Sequence, residues 1–298
     1  MTNLATVALP KPERERGAFV GFVIRLFREK PLGATGAVIF LLFLLCGIFA
    51  GWLAPFGINE INPINRMKPP SVAFPLGTDY LGRDLLSRIL YGAQLSVIIG
   101  FCAAGLATVI SVLIGIVSGY VGGRVDLITQ RFVDAWQSFP GLVILIVAVA
   151  VLGPGMPQII MVLALLFGIA GSRIVRGAVV SVREHMYVHA AQSVGASGPR
   201  ILWRHVLPNI MPVVIVLFTS RVGATILAEA GLAFLGLGVP PPAPTWGGML
   251  SGSARSYMHQ GPWLALAPGL CLTIVVYAIN VFGDALRDLL DPRMRGIR

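Results

Sequence analysis

The chain has few charged residues, lysines and cysteines, and each shortage excludes a class of protein. Only 12% of its 298 residues are charged and 56% are hydrophobic, whereas an average soluble domain is about 25% charged. This composition indicates a membrane protein. The three cysteines, Cys46, Cys102 and Cys271, all lie within apolar runs. We therefore expect them to be small buried hydrophobic side chains, with no disulfide framework and no metal site.

The few lysines and histidines exclude two kinds of chemistry. None of the three lysines, Lys11, Lys30 and Lys68, stands in a Gly-x-x-x-x-Gly-Lys-Ser/Thr loop, so the chain does not bind ATP through a Walker motif. The four histidines form no His-Glu-x-x-His pattern, which an intramembrane metalloprotease would need. We therefore expect no catalysis and no cofactor in this chain.

The formal net charge of +10 raises the question of nucleic acid as a partner. In a six-span arrangement with both ends in the cytoplasm, 17 lysines and arginines fall on the inner side and five on the outer side. The positive-inside rule accounts for this asymmetry. The charge therefore predicts an orientation in the membrane and does not require nucleic acid.

The apolar runs predict an all-α membrane protein with six transmembrane helices. Residues 1–31 are a basic cytoplasmic tail, residues 32–53 a retained first span, and residues 54–92 a polar, proline-rich extracytoplasmic segment. Residues 93–298 hold the remaining five spans, which we place at residues 93–120, 139–152, 159–171, 210–237 and 263–282. The third and fourth runs are shorter than the ~20 residues of a span, so flanking residues must complete them around a tight turn.

Three connecting segments carry further predictions. Residues 122–138 are polar and are expected to form the first cytoplasmic loop. Residues 238–262 contain a cluster of prolines and predict a rigid, polyproline-like outer loop. Residues 77–88, GTDYLGRDLLSR, hold Asp79, Arg83 and Asp84. We interpret these as a solvated helix start with local ion pairs, in preference to a ligand site.

Residues 187–208, YVHAAQSVGASGPRILWRHVLP, lie between two apolar runs but are only half apolar, so they are expected outside the bilayer. Tyr187, Ala190, Ala191 and Val194 recur at the spacing of one helix face, and small residues dominate that face. Gly195 then ends the helix. A helix with such a face can be approached closely by another protein.

A second short helix is predicted to start at Gly198 and Pro199. Its apolar stripe contains Ile201, Leu202, His205 and Val206, and its opposite face carries Arg200 and Arg204. The residues alone fit two interpretations equally well, an amphipathic connector on the membrane surface and a contact site for a partner.

This stretch resembles the "EAA" loop of ABC importer permeases, whose pattern is Glu-Ala-Ala, three residues, Gly, nine residues, then Ile-x-Leu-Pro. Ala190, Ala191, Gly195, Leu207 and Pro208 stand in register, while His189 replaces the glutamate and His205 the isoleucine. In that family the loop is a coupling helix that fits into a cleft of a separate ATPase subunit. The resemblance therefore implies a cytoplasmic coupling loop at about residues 173–209. The coupling residues that it implies are His189, Ala190, Ala191, Gly195, Ala196, Ser197, Leu207 and Pro208.

Other motifs are similar to the dipeptide, oligopeptide and nickel branch of these permeases. They are GTDYLGRDLLSR at residues 77–88, AEAGLAFLGLGVPPPAPTWGGML at residues 228–250 and NVFGDALRDLLDPR at residues 280–293. The resemblance implies the type I importer permease fold in the cell inner membrane. It also implies a second homologous permease subunit, two subunits that bind ATP and Mg, and an extracytoplasmic substrate-binding protein. Di- or oligopeptides are the expected substrate, with nickel and glutathione as alternatives.

An ion-driven secondary transporter is the competing function. Such proteins usually carry ionisable residues within their spans, and here the clear ones are Arg221 and Glu229. Eight residues separate them, which places them about 80° apart around a helix, so we do not expect them to pair. They either pack against neighbouring helices and a partner subunit or line the substrate passage.

Overall fold

The computed structural model describes residues 18–290, which are almost entirely helical and contain no β-strand. Within that range there are 13 α-helices, a 3₁₀ turn at Pro63–Asn65 and a π-helical segment at Leu202–Val206. The α-helices are α1 Ala18–Glu29, α2 Pro31–Ile48, α3 Ala50–Leu53, α4 Leu85–Val121, α5 Gly123–Gln137, α6 Gly141–Leu152, α7 Met156–Arg183, α8 Met186–Ser193, α9 Gly198–Ile201, α10 Leu207–Phe234, α11 Trp246–Met249, α12 Ser253–Tyr257 and α13 Trp263–Leu290.

Five helical segments are long and apolar enough to cross a membrane: α2, α4, α7, α13 and the continuous run Gly198–Phe234. The pair α5 and α6 supplies a sixth if it counts as one span, although the two helices are bent by 85°. The all-α membrane architecture is therefore confirmed, with five or six candidate spans among the described residues.

The first span agrees with the prediction, and the second begins earlier than predicted. Helices α2 and α3 together cover 31–53, close to the predicted 32–53. Helix α4 is 37 residues long and begins inside the segment predicted to precede it. It begins there because the Asp84 carboxylate accepts a hydrogen bond from the Ser87 N–H at 2.7 Å, a standard N-cap. Cys102, predicted to be buried, lies on the exposed face of this helix.

The predicted loop at 122–138 is wrong, because most of it forms helix α5. The stretch is polar overall but amphipathic, so it forms a helix with one apolar face. Helix α6 has only 12 residues, about 18 Å of helix against a hydrocarbon core of ~30 Å. Its flanking helix α5 does not extend it in a straight line. Helix α7, by contrast, continues well past the predicted end at residue 171 and reaches Arg183.

The two ends of the described chain pack together. The predicted polar tail is helical from Ala18; its residues 1–17 lie outside the described range, as do residues 291–298. Leu26 and Ala34 form a small core cluster with Ala285 and Leu289 of α13. Lys30 also forms an ion pair with Asp288 of α13. The start of the described chain is therefore fixed to the last turns of α13.

The prediction of a solvated helix start at residues 77–88 is wrong in one respect. Asp84 does cap α4, but Asp79, Arg83 and Asp84 are all buried, and Arg83 Nε donates to Asp79 Oδ2 at 2.6 Å. The chain folds back here, because Thr78 and Asp84 form an isolated β-bridge and Trp263 Nε1 donates to the Thr78 carbonyl at 3.2 Å. The motif is part of the packed structure.

The loop between α10 and α13 is also folded into the bundle. Trp246 at the start of α11 is fully buried, and its indole Nε1 donates to the carbonyl of Ile89 at 3.1 Å. Its backbone N–H donates to Ser96 Oγ at 3.2 Å. The prolines at 241–242 lie in a turn, so the expected extended polyproline loop does not form.

Candidate functional site

Helix α8 ends in a hydrogen-bonded glycine turn. Gly195 has φ of +80°, its N–H donates to the Gln192 carbonyl at 2.9 Å, and the Ala196 N–H donates to the Ala191 carbonyl at 3.1 Å. These two bonds define a Schellman motif, which favours glycine because L-residues rarely adopt a left-handed backbone. A Cβ on Gly195 would meet nothing within 4 Å. Within this chain, the backbone conformation is therefore what requires glycine.

Helix α8 has one face against the bundle and one face exposed. Val188 is 0% exposed and anchors the helix, with Ala191 packed beside it. On the other side Met186 and Val194 are 88% and 84% exposed. An apolar face with this much exposure, on a segment outside the candidate spans, is typical of a protein contact surface.

Tyr187 connects α8 to the π-helical segment through ring contacts, stacked on His185 and tilted by 42° against His205. Its ring centroid lies 5.5 Å from that of His185 and 6.3 Å from that of His205. His205 therefore occupies a packed position, which fits its place on the predicted apolar stripe. His189 points elsewhere and is exposed.

The predicted second short helix is the beginning of one long helix. Ile201 and Val206 are buried on its inner side, as the stripe predicted. The backbone then widens by one residue, with the Leu207 N–H donating to the Leu202 carbonyl. A π-helical turn relieves the clash that a proline makes with the preceding turn, so Pro208 does not interrupt the run into α10.

The structure therefore brings the predicted coupling residues together around one elbow. The exposed ones are His189, Ala190, Gly195, Ser197 and Pro208, and the partly buried ones are Ala191, Ala196 and Leu207. Sequence reasoning missed Val188, although its spacing of three from Ala191 is that of one helix face. It also missed the exposure of Met186 and of Trp203, which is solvent-accessible over most of its surface.

The elbow shares a core with two long helices. Val188, Ile201 and Val206 belong to the same cluster as Val175 and Val179 of α7. The cluster continues into α10 through Ile210 and Leu217. Since packed interiors resist compression and transmit strain, displacement of α8 would be passed to α7 and α10.

Two ion pairs join α5 to α7 near the same end. Arg176 donates to Asp126 through Nε and Nη2, each at 2.5 Å, and Ser118 Oγ of α4 donates to the same carboxylate. Asp134 of α5 pairs with Arg173. The sequence predicts Asp126 and Asp134 in the first cytoplasmic loop and does not predict these contacts. They fix α5 to the last turns of α7.

Arg221 and Glu229 lie apart on α10, and the structure contains no ion pair between them. The Arg221 guanidinium lies 5.2 Å from the centre of the Phe167 ring, a cation–π contact. Glu229 is 1% exposed, and neither carboxylate oxygen has a hydrogen-bond partner. The Thr245 hydroxyl, in the loop that follows α10, lies beside this carboxylate.

Two recesses lie at opposite ends of α10. A groove of about 510 Å³ runs between α7, α10 and α13 at the end nearer α8. A cavity of about 340 Å³ lies at the other end, beneath the loop that follows α10. The helix is therefore accessible from both ends.

Two family models match the sequence of the chain. Residues 111–296 match the family model "Binding-protein-dependent transport system inner membrane component", and residues 17–70 match "N-terminal TM domain of oligopeptide transport permease C". The chain is 38% identical to the dipeptide transport system permease protein DppC of Alkalihalophilus pseudofirmus, covering 96% of this chain and 94% of that protein. It is also 38% identical to the glutathione transport system permease protein GsiD of Escherichia coli O1:K1, covering 98% and 96%.

The fold is also similar to that of a solved transporter. An inward-facing structure of the MetNI methionine ABC transporter aligns with a TM-score of 0.57 at 17% identity, covering 68% of this chain and 96% of that chain. A permease of this kind works with ATPase and substrate-binding partners and is not itself an enzyme. The chain therefore belongs to the binding-protein-dependent transport system inner membrane components and is a multi-pass inner-membrane permease subunit of an ABC importer.

Proposed function

We propose that this permease imports di- or oligopeptides and that it is driven through α8 by separate ATP-binding subunits. The observation that carries the proposal is the exposed apolar face of α8, held at a Schellman elbow and backed by a core shared with α7 and α10. Peptides are proposed because relatives of this length and identity are named for dipeptide and glutathione transport. Glutathione, itself a tripeptide, is the second candidate.

The coupling step follows from how α8 is held. An ATPase cleft would close on Met186, Ala190 and Val194, which this chain leaves uncovered. Val188 would pass the movement into the core shared with α7 and α10. The ion pairs from α5 to α7 would carry it further, into the bent pair of helices. Chemistry at ATP and Mg takes place in the partner subunits, and this chain supplies the contact.

A second homologous permease is proposed to complete the passage. Helix α10 presents a stripe of exposed or half-exposed residues at helical spacing, and most of them are small. They are Ser220, Ala224, Leu227 and Gly231. Small residues allow transmembrane helices to approach closely, and a Cβ on Gly231 would meet nothing within 4 Å of this chain. With two permeases, the complete importer would contain two ATP-binding subunits, one for each coupling elbow, and an outer substrate-binding protein.

The proposed orientation places α8 and both chain ends in the cytoplasm. The 17 basic residues on that side and the five on the other support it through the positive-inside rule. Residues 54–84 and the loop carrying Trp246 then face the substrate-binding protein.

The test is uptake by the complete importer reconstituted in vesicles with its co-purified partners. Labelled dialanine should accumulate when ATP is supplied to the ATPase side and should not respond to an imposed proton gradient. Unlabelled glutathione as a competitor would separate the two substrate candidates. Uptake that persists without ATP and stops when the proton gradient is dissipated would instead show an ion-driven transporter.

A further inference from the structure

The cavity at the outer end of α10 has a charged wall and an apolar wall. The charged wall comes from the segment just before α4 and from its first turn, which contribute Asp79, Arg83 and Arg88. The apolar wall includes Val239, Met249 and Leu264, and four glycines also line the cavity. Its volume of about 340 Å³ is at the small end of the usual range for small-molecule sites, roughly 300–1,000 Å³.

The acidic group in this wall is bonded mainly to the backbone and to Arg83. Asp79 Oδ1 accepts from the backbone N–H groups of Leu81 and Arg83 at 2.8 and 2.9 Å. Its Oδ2 accepts from Arg83 Nε at 2.6 Å. Asp79 and Arg83 therefore neutralise each other, and Arg83 also lies over the ring of Tyr80.

Arg88 is left as a buried cation with weak partners. Its Nε is 3.9 Å from Asp79 Oδ2, and its Nη1 donates to the Ile58 carbonyl at 3.3 Å. The residue is only 8% exposed, and a guanidinium has five N–H donors. Among the residues that line the cavity, two arginines and one aspartate leave one excess positive charge; the buried Asp84 next to Arg83 does not line the cavity, and its Oδ2 accepts from Ser87. Burying such a charge is costly unless an anion completes its hydrogen bonds.

We propose that this cavity binds the carboxylate of a small peptide-like ligand through Arg88, with the ligand's side chains against Val239, Met249 and Leu264. A carboxylate matches the planar fork of a guanidinium, and the volume suits a ligand of dipeptide size. The cavity then receives the substrate on the outer side before it passes along α10. The proposal rests on the function proposed above and adds the residue that recognises the substrate.

The test measures direct binding of labelled dialanine to the complete complex in lipid nanodiscs, without the substrate-binding protein. Arg88→Gln should weaken dialanine binding by on the order of tenfold or more, because a charge-assisted hydrogen bond is lost. Dialanine with an amidated C-terminus should bind weakly to both proteins. Arg88→Lys should be intermediate, since it keeps the charge without the fork. Arg255→Gln is the matched control, an arginine of the outer loop that lies over Phe234 and outside the cavity.

Two results would overturn the proposal. In the first, Arg88→Gln and Arg88→Lys bind dialanine as well as the wild-type complex does, or the wild-type complex does not bind dialanine at all. The other is loss of affinity for the substrate-binding protein with dialanine binding intact, which would assign Arg88 to a protein contact. ATP-dependent uptake by the wild-type complex is measured in parallel. If uptake is normal but dialanine binding does not depend on Arg88, only this site is rejected. If there is no uptake, the proposed function is rejected.

Discussion

Replacing Gly195 should reduce transport in the order in which the new residues tolerate a left-handed backbone. The residue has φ of +80° at the end of α8, where an L-residue costs about 1–2 kcal/mol. If the turn opens to avoid that cost, it loses the bonds from Gly195 to Gln192 and from Ala196 to Ala191, each worth about 0.5–1.5 kcal/mol net. A penalty of 1–2 kcal/mol corresponds to a factor of roughly 5–30 in the population of the native elbow.

The assay is uptake together with ATPase activity stimulated by the loaded substrate-binding protein, in reconstituted membranes. Asparagine adopts the left-handed region more readily than other non-glycine residues, so Gly195→Asn should retain the most activity. Gly195→Ala should retain less, and Gly195→Val should retain the least. Gly195→Asp should insert in the membrane at normal levels. Its uptake and its stimulated ATPase activity should both fall steeply, because the substitution adds a charge to the face that the ATPase would cover.

A matched control separates coupling from general instability. Gly153 also has positive φ and open space around it, but it lies in the turn between α6 and α7, far along the chain from the elbow. Gly153→Ala should leave stimulated ATPase activity near wild type. Better retention by Gly195→Ala than by Gly195→Asn would show that steric contact with the partner dominates. Wild-type coupling in Gly195→Asp would refute the reasoning and leave the segment as a surface connector.

Three further predictions concern orientation, the α5 contact and α10. In a protein without native cysteines, a cysteine at Val72, which is 103% exposed, should react with an impermeant thiol reagent from outside. A cysteine at Arg200 should react only from inside, and the reverse pattern would contradict the orientation. Asp126→Arg should lower the thermal stability of the complex, since a bidentate pair of charged hydrogen bonds is worth about 1.5–3 kcal/mol per bond. Combining it with Arg176→Asp should restore part of the loss, and no recovery would show that the pair is not the cause. Glu229→Gln should preserve uptake and equal or raise thermal stability, because the residue is 1% exposed and a charged carboxylate is costly to bury with only the Thr245 hydroxyl beside it; a loss of uptake with normal assembly would assign Glu229 to the passage.

The elements predicted well from the sequence are those with a single strong signal. The apolar run at 32–53 became α2 and α3, and Gly195 ended α8 with the positive φ that glycine allows. Asp84 was recognisable as a helix start and does cap α4. In each case the cause acts over a few neighbouring residues.

The errors arose where distant contacts decide the structure. The polar character of residues 122–138 predicts a loop, yet the segment is helix α5 and its Asp126 pairs with Arg176 far along the chain. Asp79 and Arg83 were treated as surface ions, although a fold-back of the chain buries them. Nothing in the sequence around Trp246 indicates that its indole bonds to Ile89 of α4. These contacts join residues that are far apart in the chain, so no pattern of neighbouring residues predicts them.

The central claim, that α8 is the contact for the ATP-binding subunit, is tested most directly by crosslinking. A single cysteine replacing Ala190, which is exposed on α8, should form a covalent adduct with the ATP-binding subunit in active complexes treated with a short thiol-to-amine crosslinker. A cysteine at Val72 serves as the control and should give no such adduct. An active complex in which the cysteine at 190 gives no adduct with that subunit, or gives no more than the cysteine at 72, would contradict the account.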